Sequence, residues 1–471
     1  MMHRREIILL VALVALAPAA ARAEEAPLRL DDVVASVDRS YPALRAALRE
    51  RDVADAELRT ANGAFDPNLR TSVNADPVGY YKGLRVSSEV LVPTPLWGST
   101  FWAGWGYGDN DFPSYYGNYV TNAAGEIRVG GSVPLWRNGP IDRRRANVER
   151  AELGRTLASA SIEQQKIEIT RAATLRYWDW VAAGQRRAVA QSLLEIAVSR
   201  DAALGARVGH GDIPQIERTD NSRAILQREG FVISAQRDVE RAAIELSLFL
   251  RDDRGEPVVV SALRLPSTLP EPSALDSATI KRDGDKARGS RPDVRRFVLQ
   301  AQQTEVERRF AQNQLAPAID LRVAGVADLG RNPDPLNYSR ERPELQLGLV
   351  VDIPLLNRAN DGRVKAADAT IARLDDQRRL MQDRVGAEIA DAVSALEAAR
   401  QRVLVARREV TLANELEAAE RQRFEQGDST LLIVNLREQA TAESKVREIE
   451  AVLDFQRALA NYRAATMTQG R

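Results

Sequence analysis

Few residues in this 471-residue chain have the types and spacing that metal or nucleophile chemistry needs. There are two histidines, His3 and His210, and no cysteine. His3 lies in a leader-like start, and His210 stands between Gly209 and Gly211 with no second histidine near it in sequence. Zinc sites draw three or four nitrogen, sulfur or carboxylate ligands together, so a metal site is unsupported. The chain has no G-x-S-x-G elbow and no Walker-type glycine loop. The stretch GWGYG, Gly104 to Gly108, is aromatic and strand-like and no helix start follows it, which argues against a nucleotide cradle. Carboxylates are abundant but fall at positions that a long helix would leave solvated. The sequence predicts no catalytic, cofactor-binding or metal-binding residues, and no enzyme.

The residues with distinctive spacing are turn formers. In "RVGHGDIP" Arg207 stands four residues before Gly211, and in "RFEQGDST" Arg423 stands four before Gly427. Asp212 and Asp428 follow the two glycines. Each motif interrupts an Ala-rich helical run, and a glycine there is the usual way to end a helix. The two lie 216 residues apart (423 − 207).

The same order of signals recurs along the chain. Tyr41-Pro42 and Arg291-Pro292 each precede a helical stretch, and Asp66-Pro67 and Ala316-Pro317 each open a strand. "EIRVGGSVPLW" from Glu126 is matched by "QLGLVVDIPLL" from Gln346, and then come the two turns. Four markers in one order indicate a duplication. Each half reads helix, strand, strand, long helix, tip, helix. The first repeat covers 24–250, with strands at about 68–135, a coiled-coil hairpin at 141–250 and a tip near 207–214. A Pro- and charge-rich linker covers 251–290. The second repeat covers 291–471, with strands at about 318–355, a hairpin at 358–466 and a tip near 423–430.

The strands alternate. Leu69, Thr71 and Val73 interleave with Arg70, Ser72 and Asn74; Ile127, Val129 and Val133 with Glu126, Arg128 and Ser132. Ile319, Leu321 and Val323 interleave with Asp320 and Arg322. Leu345, Leu347, Leu349, Val351 and Ile353 interleave with Glu344, Gln346, Gly348 and Asp352, Val350 being the exception. This pattern suits a half-buried soluble sheet or a barrel with lipid outside and water inside. Residues 77–122 are aromatic- and Gly-rich, with Tyr80, Tyr81, Trp97, Trp102, Trp105, Tyr107, Tyr115, Tyr116 and Tyr119. They read as an external loop with an interfacial girdle, as an aromatic-rich soluble hairpin, or, through "RVSSEVLV" and "TFWAGWGYG", as additional strands.

The helices are long. No proline occurs from Ile141 to Val208 or from Leu355 to Arg471. Ile389, Leu396, Val403 and Val410 step by seven, with Ala392, Ala399, Ala406 and Ala413 between them. Ala146, Leu153, Ala160, Ile167, Thr174, Val181 and Ala188 step likewise in the first half. A sustained seven-residue step is a coiled-coil seam, and its alanines permit close approach.

Location follows from composition. His3, Arg4 and Arg5, the apolar run Ile7 to Ala17 and Ala21-Arg22-Ala23 read as a signal peptide over 1–23, removed on export, rather than as a buried first helix. Without cysteine the mature chain has neither disulfides nor an N-terminal lipid anchor. No later run reaches the roughly 18 apolar residues of a transmembrane helix, so any membrane-spanning part must be a β-barrel. With 66 basic and 66 acidic residues, nothing suggests nucleic acid.

Four clear strands, or roughly six with the extra hairpin, cannot close a barrel, for which about eight are needed. Other copies of the chain must complete it, and three copies of four strands would give twelve. At this point the sequence resembles the TolC-like outer-membrane efflux proteins. The resemblance runs from about Leu30 to Tyr462. It rests on Tyr41-Pro42, Arg291-Pro292-Asp293, the passages "VPLWRNGPIDRRRA" and "DIPLLNRANDGRVKAA", and the two tips.

The resemblance implies a mainly α protein with a β-barrel portion in the outer membrane. It implies a homotrimer with a shared 12-stranded barrel among outer-membrane lipid and an α-helical tunnel across the periplasm. The segment 251–290 would be equatorial. The implied role is a passive exit duct fed by an inner-membrane transporter through a periplasmic adaptor. The adaptor would meet the tips at Gly211, Asp212, Gly427 and Asp428. Many members of the family it resembles carry aspartates six and nine residues after the second tip glycine, where this chain has Ile433 and Leu436. The first tip has Glu217 and Asp220 at those spacings. The periplasmic entrance is therefore expected at Glu217, Asp220 and Asn435. The competing reading is a periplasm-spanning coiled-coil tether without channel activity.

Overall fold

The computed structural model describes residues 26–79, 82–110, 120–331 and 342–468. The proposed leader, 1–23, lies outside the described residues, as do Tyr80, Tyr81, Tyr115, Tyr116 and Tyr119 of the aromatic stretch. In chain order the helices are α1 (Leu30–Ser40), α2 (Pro42–Asn62), α3 (Arg143–Gly209), α4 (Gln215–Ser247), α5 (Ser277–Ser290), α6 (Pro292–Asn313), α7 (Arg358–Gln426) and α8 (Leu431–Thr466). The strands are β1 (Asn68–Asp76), β2 (Gly83–Pro93), β3 (Thr100–Asn110), β4 (Glu126–Pro134), β5 (Ala318–Asp328) and β6 (Glu344–Asp352). None of the described helices is long and apolar enough to cross a membrane.

Pro42 and Pro292 open α2 and α6 at the first helical turn, where a missing N–H costs nothing. Each is preceded by a further helix, α1 or α5. The stretch 251–290 is therefore not all linker, because its last fourteen residues form α5. Asp276 caps α5 by accepting from the Thr279 amide at 3.2 Å.

The chain forms two compact units, each gathered from three separated stretches. One takes the chain up to Ser36, Arg176–Glu271 and Ala406–Leu453. It holds the tip ends of the long helices. There the Tyr177 hydroxyl donates to the Leu28 carbonyl at 3.0 Å, and burial among these elements pushes its pKa up to about 12. The other takes Val37–Leu175, Pro272–Val405 and Asp454–Arg471 and holds the whole sheet.

In the sheet-bearing unit α6 packs on α3 through Ala146, Val306 and Phe310, with the Arg143 guanidinium 4.2 Å from the Phe310 ring centre. Arg308 of α6 also pairs with Asp368 of α7 at 2.6 Å. A second cluster, Ala287, Val294, Val385, Ile389 and Ala465, joins α5, α6, α7 and α8. On α7 the seam is buried from Ile389 through Ala392, Leu396, Ala399 and Val403 to Ala406. On α3 Ala146, Ala160 and Val181 are buried, but Ala188 is exposed, against the seven-residue step. Beyond Val181 the buried stripe moves to Leu193, Ala197 and Leu204, the side that faces α4.

All six strands form one antiparallel sheet in chain order, with β1 and β6 at its edges. The region 77–122 thus contributes β2 and β3 as strands. A chain with six strands departs from the four-strand arithmetic: three copies would supply eighteen, not twelve.

The seam makes a direct prediction. Leu396 is 4% exposed and Leu416, on the same helix, 51%. Leu396→Ala should cost about 2–5 kcal/mol in unfolding free energy, and Leu416→Ala close to nothing, as read by denaturant unfolding.

Candidate functional site

The two tips are built alike from backbone hydrogen bonds. The Asp212 amide donates to the Arg207 carbonyl at 2.9 Å, and the Gly211 amide to the Val208 carbonyl at 3.0 Å. The Asp428 amide donates to the Arg423 carbonyl at 2.9 Å, and the Gly427 amide to the Phe424 carbonyl at 3.1 Å. This is the Schellman pattern, which satisfies the last carbonyls of a helix and requires a left-handed residue. Gly211 has φ 81° and Gly427 φ 88°. The arginines at fixed spacing supply the carbonyl that closes each turn. The Arg207 guanidinium lies 5.9 Å from the Phe424 ring centre, so the two tips sit side by side.

Gly211, Asp212, Gly427 and Asp428 are exposed. An added Cβ at either glycine would meet nothing within 4 Å. The tip surface is therefore open to a partner, and the glycines are there for conformation, not for packing. His210 is exposed beside Gly211, and among the described residues no group of three potential metal ligands occurs.

The three proposed entrance residues do not form one set. Glu217 lies in the first turn of α4, where a carboxylate complements the helix dipole. Asp220 and Asn435 line one pocket, with Arg223, Arg228, Leu432 and Leu436 around them. Asn435 is partly buried and its side-chain oxygen accepts from Arg200 at 3.0 Å and Arg228 at 3.3 Å.

Behind that pocket is a network that sequence reasoning missed. The Glu438 side chain of α8 is 0% exposed and pairs with Arg228 of α4 at 2.9 Å and with Arg200 of α3. Arg421 of α7 reaches it at 3.5 Å. Arg228 also donates to the Leu193 carbonyl at 2.7 Å. Burial pushes the Arg200 pKa below its ordinary value although Glu438 opposes the shift. Nearby, hydrogen bonds from Arg218 and Asn221 hold the Asp201 carboxyl below the usual carboxylate range. The signal was present: Leu431, Val434, Glu438 and Thr441 follow the three-four step of a seam and all four are buried, so an acid occupies a core position.

The sheet is the second candidate surface. Register places Leu69 and Val73 beside Val90 and Val86, and those beside Ala103 and Tyr107. Ala103 and Trp105 lie beside Val129 and Ile127, and Leu321 and Val323 beside Leu349 and Leu347. One face is thus apolar across all six strands and is solvent-exposed in the single chain, Leu345, Leu347 and Leu69 most of all. The opposite face carries Arg70, Arg85, Arg128 and Arg322, with Glu126 paired to Arg128 at 2.6 Å and Arg85 at 3.2 Å. An exposed apolar area on this scale needs a covering phase.

The network yields a prediction. Glu438→Gln keeps size but leaves Arg228 buried without its counter-charge, and should destabilise by about 3–5 kcal/mol. Glu217→Gln, on the exposed end of α4, should change stability by less than about 1 kcal/mol. Thermal unfolding of the two variants side by side checks both.

No protein-family model and no curated protein matches the sequence. Solved structures do match the fold. The outer-membrane channel MtrE of Neisseria gonorrhoeae, in its open state, aligns with TM-score 0.63 and 16% identity over 93% of this chain and 88% of that one. The outer-membrane protein VceC of Vibrio cholerae aligns with TM-score 0.62 and 16% identity over 93% of this chain and 95% of that one. The CmeC outer-membrane channel of Campylobacter jejuni aligns with TM-score 0.60 and 12% identity over 93% and 85%. These alignments span nearly the whole of each chain, strands and long helices alike. The chain therefore has the fold of the outer-membrane channels, the TolC-like fold that its sequence resembles.

Proposed function

We propose that this protein is the outer-membrane channel of a tripartite efflux or type I secretion system. In this reading three copies share a barrel in the outer membrane, reached by export through the cleaved leader. Their paired helical hairpins line a duct through the periplasm. A periplasmic adaptor and an inner-membrane transporter meet the tips at Gly211, Asp212, Gly427 and Asp428 and deliver cargo, which leaves passively.

The observation that carries the reading is the two-faced sheet. An antiparallel wall with one apolar face, one charged face and two edges unpaired within the chain is what a shared barrel requires of each subunit. A periplasmic coiled-coil tether would use the helices equally well but gives no reason for that apolar face. The exposed, matched tips supply a docking surface at the helical end. Asp220, with Asn435 in one pocket and Glu217 one helical turn away, supplies the charge of the entrance.

Two measurements test this. Native mass of the protein extracted from outer membranes in mild detergent should equal three mature chains, each lighter than the 52.0 kDa of the full sequence by the removed leader. A monomer or dimer confined to the soluble periplasmic fraction would leave the tether as the better account. In planar bilayers, divalent-cation block from the tip side should weaken in the double variant Glu217→Ala, Asp220→Ala. Unchanged block would remove these two residues from the entrance.

A further inference from the structure

We infer that β2 and β3 are wall strands of the barrel, so that three copies close an eighteen-stranded barrel by pairing β6 of each copy with β1 of the next. The inference rests on the trimeric-channel reading above.

The hairpin is not an appendage to a four-stranded sheet. β1 is joined to the sheet only through β2, and β4 meets β3 and β5, so removing β2 and β3 from the wall would detach β1 from the rest. Both strands have eleven residues, enough to cross the apolar layer at the usual tilt, which takes about 9–11. The register continues the faces without a break. Val86, Val90, Phe101, Ala103 and Trp105 fall on the side of Leu69 and Ile127, while Arg85, Ser87 and Glu89 fall on the side of Arg70 and Arg128. A plug or an external loop would have no cause to match the lipid-facing side of its neighbours.

The turn between the two strands is fixed at the helical end of the sheet. The Arg144 guanidinium at the start of α3 donates to the Gly98 carbonyl at 3.2 Å. Trp97, at φ 51°, stands so close to Gly139 that a Cβ there would lie 2.6 Å from the indole Nε1. This exposed tryptophan lies where the strands give way to helices, with exposed Leu135 and Trp136 nearby in the same passage. Aromatics at that level form the interfacial girdle of a barrel.

The edges suit one another. Six is an even number, so β1 and β6 run in opposite directions and a β6-to-β1 junction continues the antiparallel order. Both edge strands have nine residues. Asp352, which ends the polar face of β6, is already paired with Arg137 of its own chain at 2.8 Å, so strand direction and length, not this charge, suit the two edges to each other. Barrel diameter grows roughly linearly with strand number, so the ring is about one and a half times as wide as a twelve-stranded one and holds an aqueous channel. The outer-membrane opening then accommodates bulkier cargo than twelve strands would admit.

The chain has no cysteine, so single cysteines report cleanly. Phe101→Cys and Val90→Cys probe the apolar face of the hairpin, Ser87→Cys its polar face, and Leu347→Cys the apolar face of β6. Each is treated with a water-soluble maleimide in intact outer membranes and again after full denaturation, and native mass is taken on the same preparations. The inference expects loss of membrane-state labelling at Phe101→Cys, Val90→Cys and Leu347→Cys, retention at Ser87→Cys, and three chains per complex. Labelling of Phe101→Cys and Val90→Cys with Leu347→Cys protected overturns the eighteen-stranded wall and leaves the channel standing. Two chains per complex overturn it in favour of twelve strands from a dimer. Labelling of Leu347→Cys itself overturns both readings.

Discussion

A β-sheet inside a bilayer has no water to satisfy its edges, so every backbone N–H and C=O must find a partner in another strand. In the proposed channel that constraint organises the sheet. The sheet is apolar on one face and charged on the other, and it stops at β1 and β6 with no closing strand among the described residues. In the proposed channel, a subunit of this kind is completed by a ring of its own copies. The helices are tied to the sheet's geometry, because β1, β4, β5 and β6 each run directly into or out of a helix.

The helices answer a different requirement. A helix of 67 or 69 residues, such as α3 or α7, cannot be held by its own propensity and must be covered along its length. The alanine-rich seam provides that cover with small side chains, which brings main chains close enough for side chain-to-carbonyl bonds between helices. Asn221 to the Ala197 carbonyl at 3.1 Å and Thr441 to the Ala413 carbonyl at 3.2 Å are the same device in the two hairpins. Duplication thus reaches below the order of elements to individual contacts.

Much of this was legible in the sequence because it is periodic. Proline-free stretches, the seven-residue step and strict alternation each report a local rule, and the tips report theirs through glycine and a carbonyl four residues before it. What was not legible depended on partners distant in sequence. β2 and β3 could be read as strands, loop or soluble hairpin, since Gly104, Gly106 and Gly108 blank out one face and only register with β1 and β4 restores it. Helix α5 was hidden by Gly284, Gly289 and a run of charges. Glu438 is one acid among many in an acid-rich helix. Its burial is set by Arg200 and Arg228, more than 200 residues away.

That buried carboxylate has a mechanical meaning. One acceptor serves guanidiniums from α3, α4 and α7, and it sits on α8, so four helices share a single counter-charge. Withdrawing α8 strands Arg228, whose side chain is 6% exposed, where an unpaired ion is costly, whereas Arg421 of α7 is 43% exposed and keeps Glu417 as a partner. The contact of α8 with α3 and α4 is therefore the one that costs most to open near the tips.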